Sequence, residues 1–262
     1  MNKLIEQYTI NRKLLAEALT EKAHMEMYEA EILKNDFVAK LGEPRYELHK
    51  LELAIARTKL KLEMIETCEK FKIPIDYSYI DRELEKEFEK HYEVLKKMRL
   101  EIEYVHSIDY VREKNKREME LEMKDVYLEI ASYIHPELTI NQDLSMKRTW
   151  KTAEKAYQQG DLEKLKRLRK KTIKDFGNIN EKHEDIEIQL STIKERKAVI
   201  QKEIQAMKKS FPFSESDMLD DEVAVMKFRD DMDSDIRTAK EVLDKLEKQV
   251  LEKLPPVGRY KN

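Results

Sequence analysis

The chain reads as an all-α protein, and three observations lead there. Only four glycines and six prolines interrupt 262 residues, too few for the many turns that sheets require. Charged residues make up 40% of the chain, far above the roughly 25% of ordinary globular proteins. Apolar residues then recur at spacings of three and four, the period of one helix face. Forty per cent hydrophobic content is enough to line helix seams but not a thick, multilayered core. The expected molecule is therefore elongated, made of antiparallel helical hairpins and coiled coils flanking a small central helical module. The expected division is an N-terminal coiled-coil region over 1–106, the module over 107–173 and a C-terminal antiparallel coiled-coil hairpin over 174–262.

From the N-terminus, Lys3 to Leu41 reads as one long helix, and Gly42-Glu43-Pro44 marks its stop, since proline cannot continue the hydrogen-bond ladder. A second helix follows from Tyr46 to Phe71, with Leu48, Leu51, Ile55, Thr58, Leu62 and Ile65 at heptad spacing. The short Gly-Pro connection predicts an antiparallel hairpin between these two. Pro74 and the cap-like Ser78 and Asp81 open a third helix, whose seam is Leu84, Phe88, His91, Leu95, Met98, Ile102 and Val105. His91 on that seam reads as a packed or snorkelling ring rather than a metal ligand, because no Cys, His or acid cluster accompanies it. His106 to Asp109 reads as a break or a continuation.

In the C-terminal third, Ile179, His183, Ile186, Leu190, Ile193, Ile200, Ile204 and Met207 keep heptad spacing, with Lys197 at one seam position, where a charge costs stability but fixes register. Ser214 and Asp217 look like a helix start, and Ile236, Ala239, Leu243, Leu246 and Val250 form the seam expected to return along the first. Each arm of about 30 residues would be about 45 Å long. Pro255-Pro256 ends the pattern, and the tail to Asn262 should be loose. The acidic stretch Asp217 to Asp235 lacks the loop glycine of a calcium hand, and its Val223, Val225, Met226 and Phe228 look helical. No metal site is expected there.

The 51 basic and 54 acidic residues nearly cancel and are interspersed, so neither nucleic acid nor a membrane surface is an expected partner. The basic run Lys164 to Lys171 reads as a solvated helix face, with RNA contact a minor alternative. Cys68 is alone, which excludes an intrachain disulfide and fits a reducing cytosol. The first residues lack the apolar core of a secretion signal, and no stretch reaches the roughly 18 apolar residues of a membrane span. A soluble, cytoplasmic protein is expected. Phosphate-binding glycine loops, nucleophile motifs and metal-ligand spacings are missing, so no catalytic residues, cofactor or metal are assigned and an enzyme is not expected.

The most informative stretch lies at the centre. Met123, Val126, Tyr127, Ile130, Tyr133 and Ile134 form a helical stripe that His135-Pro136 terminates. After a polar loop from Glu137 to Ser145, the run Lys147 to Gln158 places Trp150, Ala153, Ala156 and Tyr157 on one face. The two faces can pack as an antiparallel pair, alanine permitting close approach and the aromatics filling the gap. Gly160-Asp161 then ends one helix and caps the next, Leu162 to Lys171.

This arrangement, with His135-Pro136-Glu137, Trp150, Ala156-Tyr157 and Gly160-Asp161-Leu162-Glu163, resembles the second half of a J domain, in a divergent bacterial form flanked by coiled coils. The core resemblance covers about 45 residues. It implies that His135, Pro136 and Glu137 form a loop facing an Hsp70-type chaperone, and that Tyr127, Ile130, Tyr133, Trp150, Ala153, Ala156 and Tyr157 pack the two helices. Glu137 stands where the family has aspartate, which moves the carboxylate by about 1.5 Å. Glu120, Glu122, Asp125 and Glu129 outnumber Lys124 in the preceding helix, where the family carries a basic docking face. The expected function is a J-domain-like co-chaperone or adaptor whose coiled coils bind protein clients or self-associate. The alternative is a non-enzymatic coiled-coil scaffold in which the module is only a structural joint.

Overall fold

The computed structural model describes residues 2–108, 110–139, 142–176 and 186–254, and all its regular elements are helical. In chain order they are α1 (Asn2–His24), a π-helical turn (Met25–Glu29), α2 (Ala30–Lys70), α3 (Tyr77–His106), α4 (Tyr110–Ile134), α5 (Leu144–Gln158), α6 (Leu162–Phe176), α7 (Ile186–Lys208), a 3-10 turn (Phe213–Glu215), α8 (Ser216–Asp220) and α9 (Glu222–Lys253). No helix among the described residues is long and apolar enough to cross a membrane. Ile179, His183, Pro255, Pro256 and the tail to Asn262 lie outside the described residues.

The chain divides into two compact units, each built from two stretches: 1–34 with 108–216, and 35–107 with 217–262. The expected segments were contiguous in sequence. The difference arises because α1 finds its partners among α4 to α7, and α9 among the helices of residues 35–107.

In the first unit α1 packs along α7, where Lys197 Nζ donates to Asn11 Oδ1 at 2.9 Å and Lys22 and Lys208 pair with Glu203 and Glu21 at 2.9 Å. These rising pairs make the two helices parallel. Leu190 and Ile193 pack with Tyr8, Leu15 and Ala16, and Ile204 with Ala18 and Met25. Lys197 is thus a seam charge satisfied by an asparagine, the register device that its heptad position predicts. The expected return partner of this seam, Ile236 to Val250, is not what it meets: those residues lie on α9 in the other unit. The apolar period fixed which face of α7 is buried, but a heptad does not name its partner.

In the second unit α2 and α3 form an antiparallel hairpin. Arg57 meets Glu85 and Lys61 meets Asp81, both at 2.7 Å, and Arg99 meets Glu43 at 3.1 Å. Inside, Leu53, Ile65, Ile80, Leu84, Phe88 and Leu95 form one cluster, which Val250 of α9 joins. Ile236 and Ala239 of α9 close over Leu51. The hairpin turns at residues 71–76, not at Gly42-Glu43-Pro44. The helix runs through that triplet with Gly42 and Pro44 buried, and a Cβ on Gly42 would stand 3.1 Å from Ile102 Cγ1. Glycine serves there as a close-packing residue for α3. An interior proline costs a helix about 3 kcal/mol, which burial along this packed face must offset.

Two smaller expectations change as well. The N-cap of α3 is Asp76, whose carboxylate accepts from the Tyr79 N–H, rather than Ser78 or Asp81. His91 is exposed beside Phe88 instead of packed in the seam. At the other end of the chain, α9 starts at Glu222 behind its cap Asp221, after the short α8 that begins at Ser216. No group of three or more His, Cys, Asp or Glu among the described residues could hold a metal ion.

Candidate functional site: the loop after Ile134

Helix α4 ends where proline forbids its continuation, and each of its last four carbonyls has a partner. The His135 N–H donates to Ala131 O at 2.9 Å, Arg12 Nη2 to Ser132 O at 3.2 Å, Thr139 Oγ1 to Tyr133 O at 3.2 Å, and Gln142 Nε2 to Ile134 O. A helix terminus normally leaves four such groups unpaired. The loop then folds back, with Leu138 N–H and Thr139 N–H both donating to His135 O. Arg12 Nη1 also donates to Leu138 O at 2.7 Å, and the Leu138 side chain is buried against α1 and α7. One guanidinium from α1 thus bridges the helix end and the loop, a use of arginine's rigid fork that a lysine could not copy.

Within the loop the three expected residues point differently. Pro136 is exposed. His135 is turned inward: its ring stands edge-on to Trp150 at 4.4 Å between centroids, and Nδ1 accepts the Glu137 N–H at 3.1 Å. The proton of the neutral ring therefore sits on Nε2. Burial pushes the His135 pKa down to about 4. Glu137 carries its carboxylate to Arg196 of α7, with Oε2 2.9 Å from Nε.

Behind the loop, α4 and α5 pack antiparallel. Tyr127, Ile130, Trp150, Ala153, Ala156 and Tyr157 share one buried cluster with Met123, Ile134 and Leu165, and Tyr133 packs at its edge. Tyr127 and Tyr157 stack at 4.2 Å, and Trp150 lies 5.2 Å from Tyr127. Asp143 caps α5 by accepting from Met146 N–H at 2.7 Å. At its far end Gly160, at φ +69°, takes the left-handed position, while Asp161 accepts from Lys164 N–H and starts α6.

Nothing near the loop in the chain signals the wall that α1 supplies. The π turn widens the helix by one residue, with Ala30 N–H bonded to Met25 O, and it lies where two side chains seize Tyr157. His24 Nδ1 is 2.8 Å from the Tyr157 hydroxyl, and Tyr28 O–H donates to the Tyr157 carbonyl. Glu29 Oε1 stands 3.5 Å from His24 Nε2 on the other side of the ring. Burial, then the nearby Lys124, pushes His24 down to about 4. Burial, then Glu120, pushes Tyr28 up to about 12. Tyr127 and Tyr157 are also raised, mainly by burial. Contacts across more than 120 residues leave no local sequence signal; only the nearby apolar Ala23 and Met27 hinted at a buried face.

The arrangement presents a proline and a half-exposed carboxylate on a rigidly capped loop. Its buried His, Tyr and Trp side chains serve packing and hydrogen bonding rather than an open cleft. Comparison with protein-family models, with curated proteins and with solved structures gives no match for this chain.

Proposed function

We propose that this protein is a J-domain-like co-chaperone or adaptor, working in the cytoplasm, that engages an Hsp70-type chaperone through His135, Pro136 and Glu137. One observation carries the reading: a helix closed by His-Pro, a rigidly capped loop, and a returning antiparallel helix whose Trp150, Ala156 and Tyr157 pack onto it. The protein is not itself an enzyme in this account; it acts on the partner's nucleotide cycle, and its exposed helical faces take clients or a second copy. The test is association with an Hsp70 in ATP and in ADP. Wild-type protein should bind in ATP and lose at least tenfold in affinity on His135→Gln, which removes both the ring from Trp150 and the Nδ1 acceptor of the Glu137 N–H.

A specific observation favours a second reading. Glu137 is already held by Arg196 and His135 faces inward, so the loop can be a structural closure of a scaffold. In that case His135→Gln leaves partner binding unchanged and lowers stability only.

A further inference from the structure

Charge is evenly mixed along most of this chain but not across α5 and α6. Residues 144–176 carry eleven Lys or Arg against four Asp or Glu, a net of +7 in a chain whose total is −3. The fold sorts these cations. Lys166 and Arg169 turn toward α4 and pair with Glu122 and Glu129. Lys147, Lys151 and Lys155 lie on the side of α5 opposite its buried face, and Arg167, Lys171 and Lys174 on the solvent side of α6. All six are exposed, and none pairs with a carboxylate among the described residues. The helices are neighbours and antiparallel, since α5 runs against α4 while α6 runs with it.

We propose that these two stripes form a binding face for the phosphate backbone of double-stranded nucleic acid. Cations four residues apart on a helix are about 6 Å apart along its axis, close to the roughly 7 Å of duplex axis that two successive phosphate steps of one strand span. The face has no exposed aromatic ring, because Trp150, Tyr157 and Phe176 are all buried; stacking on unpaired bases is therefore not its chemistry. It also lacks the apolar centre of a protein interface. Its large exposed apolar side chains are Leu144 and Ile173, near the helix ends, and lysine is depleted at such interfaces. Lysine-rich, apolar-poor and unpaired, the face suits contacts that position a backbone without reading sequence.

The test is titration of the full-length chain against a fluorescent 20-base-pair DNA duplex and an RNA duplex of the same sequence, from about 50 to 200 mM salt. The expected result is micromolar binding at the low end with a steep salt dependence. Lys151→Ala/Arg167→Ala/Lys171→Ala should weaken it at least tenfold and make the log–log slope shallower by about 2 to 3. Lys90→Ala/Lys96→Ala/Lys97→Ala, equally exposed cations on α3, should leave both unchanged. The two duplex arms say which backbone is preferred, and binding of either supports the proposal. Absence of duplex binding, equal loss in both triple variants, or equally good competition by polyglutamate would overturn it, the last in favour of an acidic protein partner.

Discussion

The interior around Tyr157 is aromatic and hydrogen-bonded, whereas the interior of the second unit is mainly aliphatic. In the first, two tyrosines stack, a histidine shares a hydrogen bond with a phenol and a second histidine stands against tryptophan. In the second, Leu, Ile and Phe interdigitate between α2 and α3, and the polar contacts are ion pairs at the rim and part-buried bonds from Lys40 and Tyr77 to the Leu219 and Lys253 carbonyls. Rim pairs contribute about 0 to 1 kcal/mol each, so that unit rests mainly on burial. The aromatic interior depends in addition on directional bonds, which fix one arrangement but penalise any loss of a partner. Helices of similar composition thus make two kinds of core, one tolerant and one specific, and the specific one lies behind the candidate loop.

Truncation should separate the two interiors most strongly. Tyr157→Ala should cost about 4 to 5 kcal/mol, because it empties the centre of the cluster and orphans His24 Nδ1 as well. Leu84→Ala, equally buried, should cost about 3 kcal/mol through its cavity alone. Denaturant unfolding with hydrogen exchange resolved by unit measures both, and a larger loss for Leu84→Ala would erase the distinction.

Acid should separate the two interiors next. His24 and His135 are held near 4 in the fold against an ordinary value of about 6.5. Above pH about 6.5 neither state is protonated. Between about 6.5 and 4 the unfolded chain takes up protons that the fold refuses, so stability falls as pH falls, and below 4 the loss is complete. The first unit should lose about 2 kcal/mol per histidine, and so about 4 to 5 kcal/mol from the pair, between pH 7 and 4.5. His24→Gln should flatten that slope in a pH series of unfolding curves, and an unaltered slope would remove His24 from the account. The buried tyrosines act at the other end: the fold keeps protons that the unfolded chain releases above pH about 10, so stability falls there as pH rises.

Two stabilising changes sharpen the contrast at smaller scale. The Thr172 hydroxyl is buried with no hydrogen-bond partner among the described residues, so Thr172→Val should gain about 1 kcal/mol. Lys72 sits at φ +55° where the α2–α3 hairpin turns, with Ile73 N–H bonded to Cys68 O and Lys72 N–H to Glu69 O. Lys72→Gly should relieve the left-handed strain and gain about 0.5 to 1 kcal/mol in the second unit. Melting curves of the two variants check both signs.

Periodicity made the helices legible, and with them the packed faces of α4 and α5, because a buried face must repeat with the helix. The caps at Asp161 and the left-handed Gly160 were legible too, since their chemistry is local. Gly42 and Pro44 misled for the opposite reason: their meaning depended on Ile102, sixty residues away, and tertiary packing overrode the local breaking signal. The seams of α7 and α9 showed which residues are buried but not against what. Arg12, His24, Tyr28 and Arg196 reach the loop or the core behind it from distant helices, and nothing adjacent in sequence marks them. Glu137 was readable as a residue, but its engagement by Arg196 was not.

Single-turnover ATP hydrolysis by an Hsp70, with wild-type protein, His135→Gln and Glu137→Asp run in parallel, tests the proposed function most directly. The expected result is stimulation by wild type that His135→Gln abolishes. No stimulation by wild type or by Glu137→Asp would contradict it and leave the loop as a structural closure.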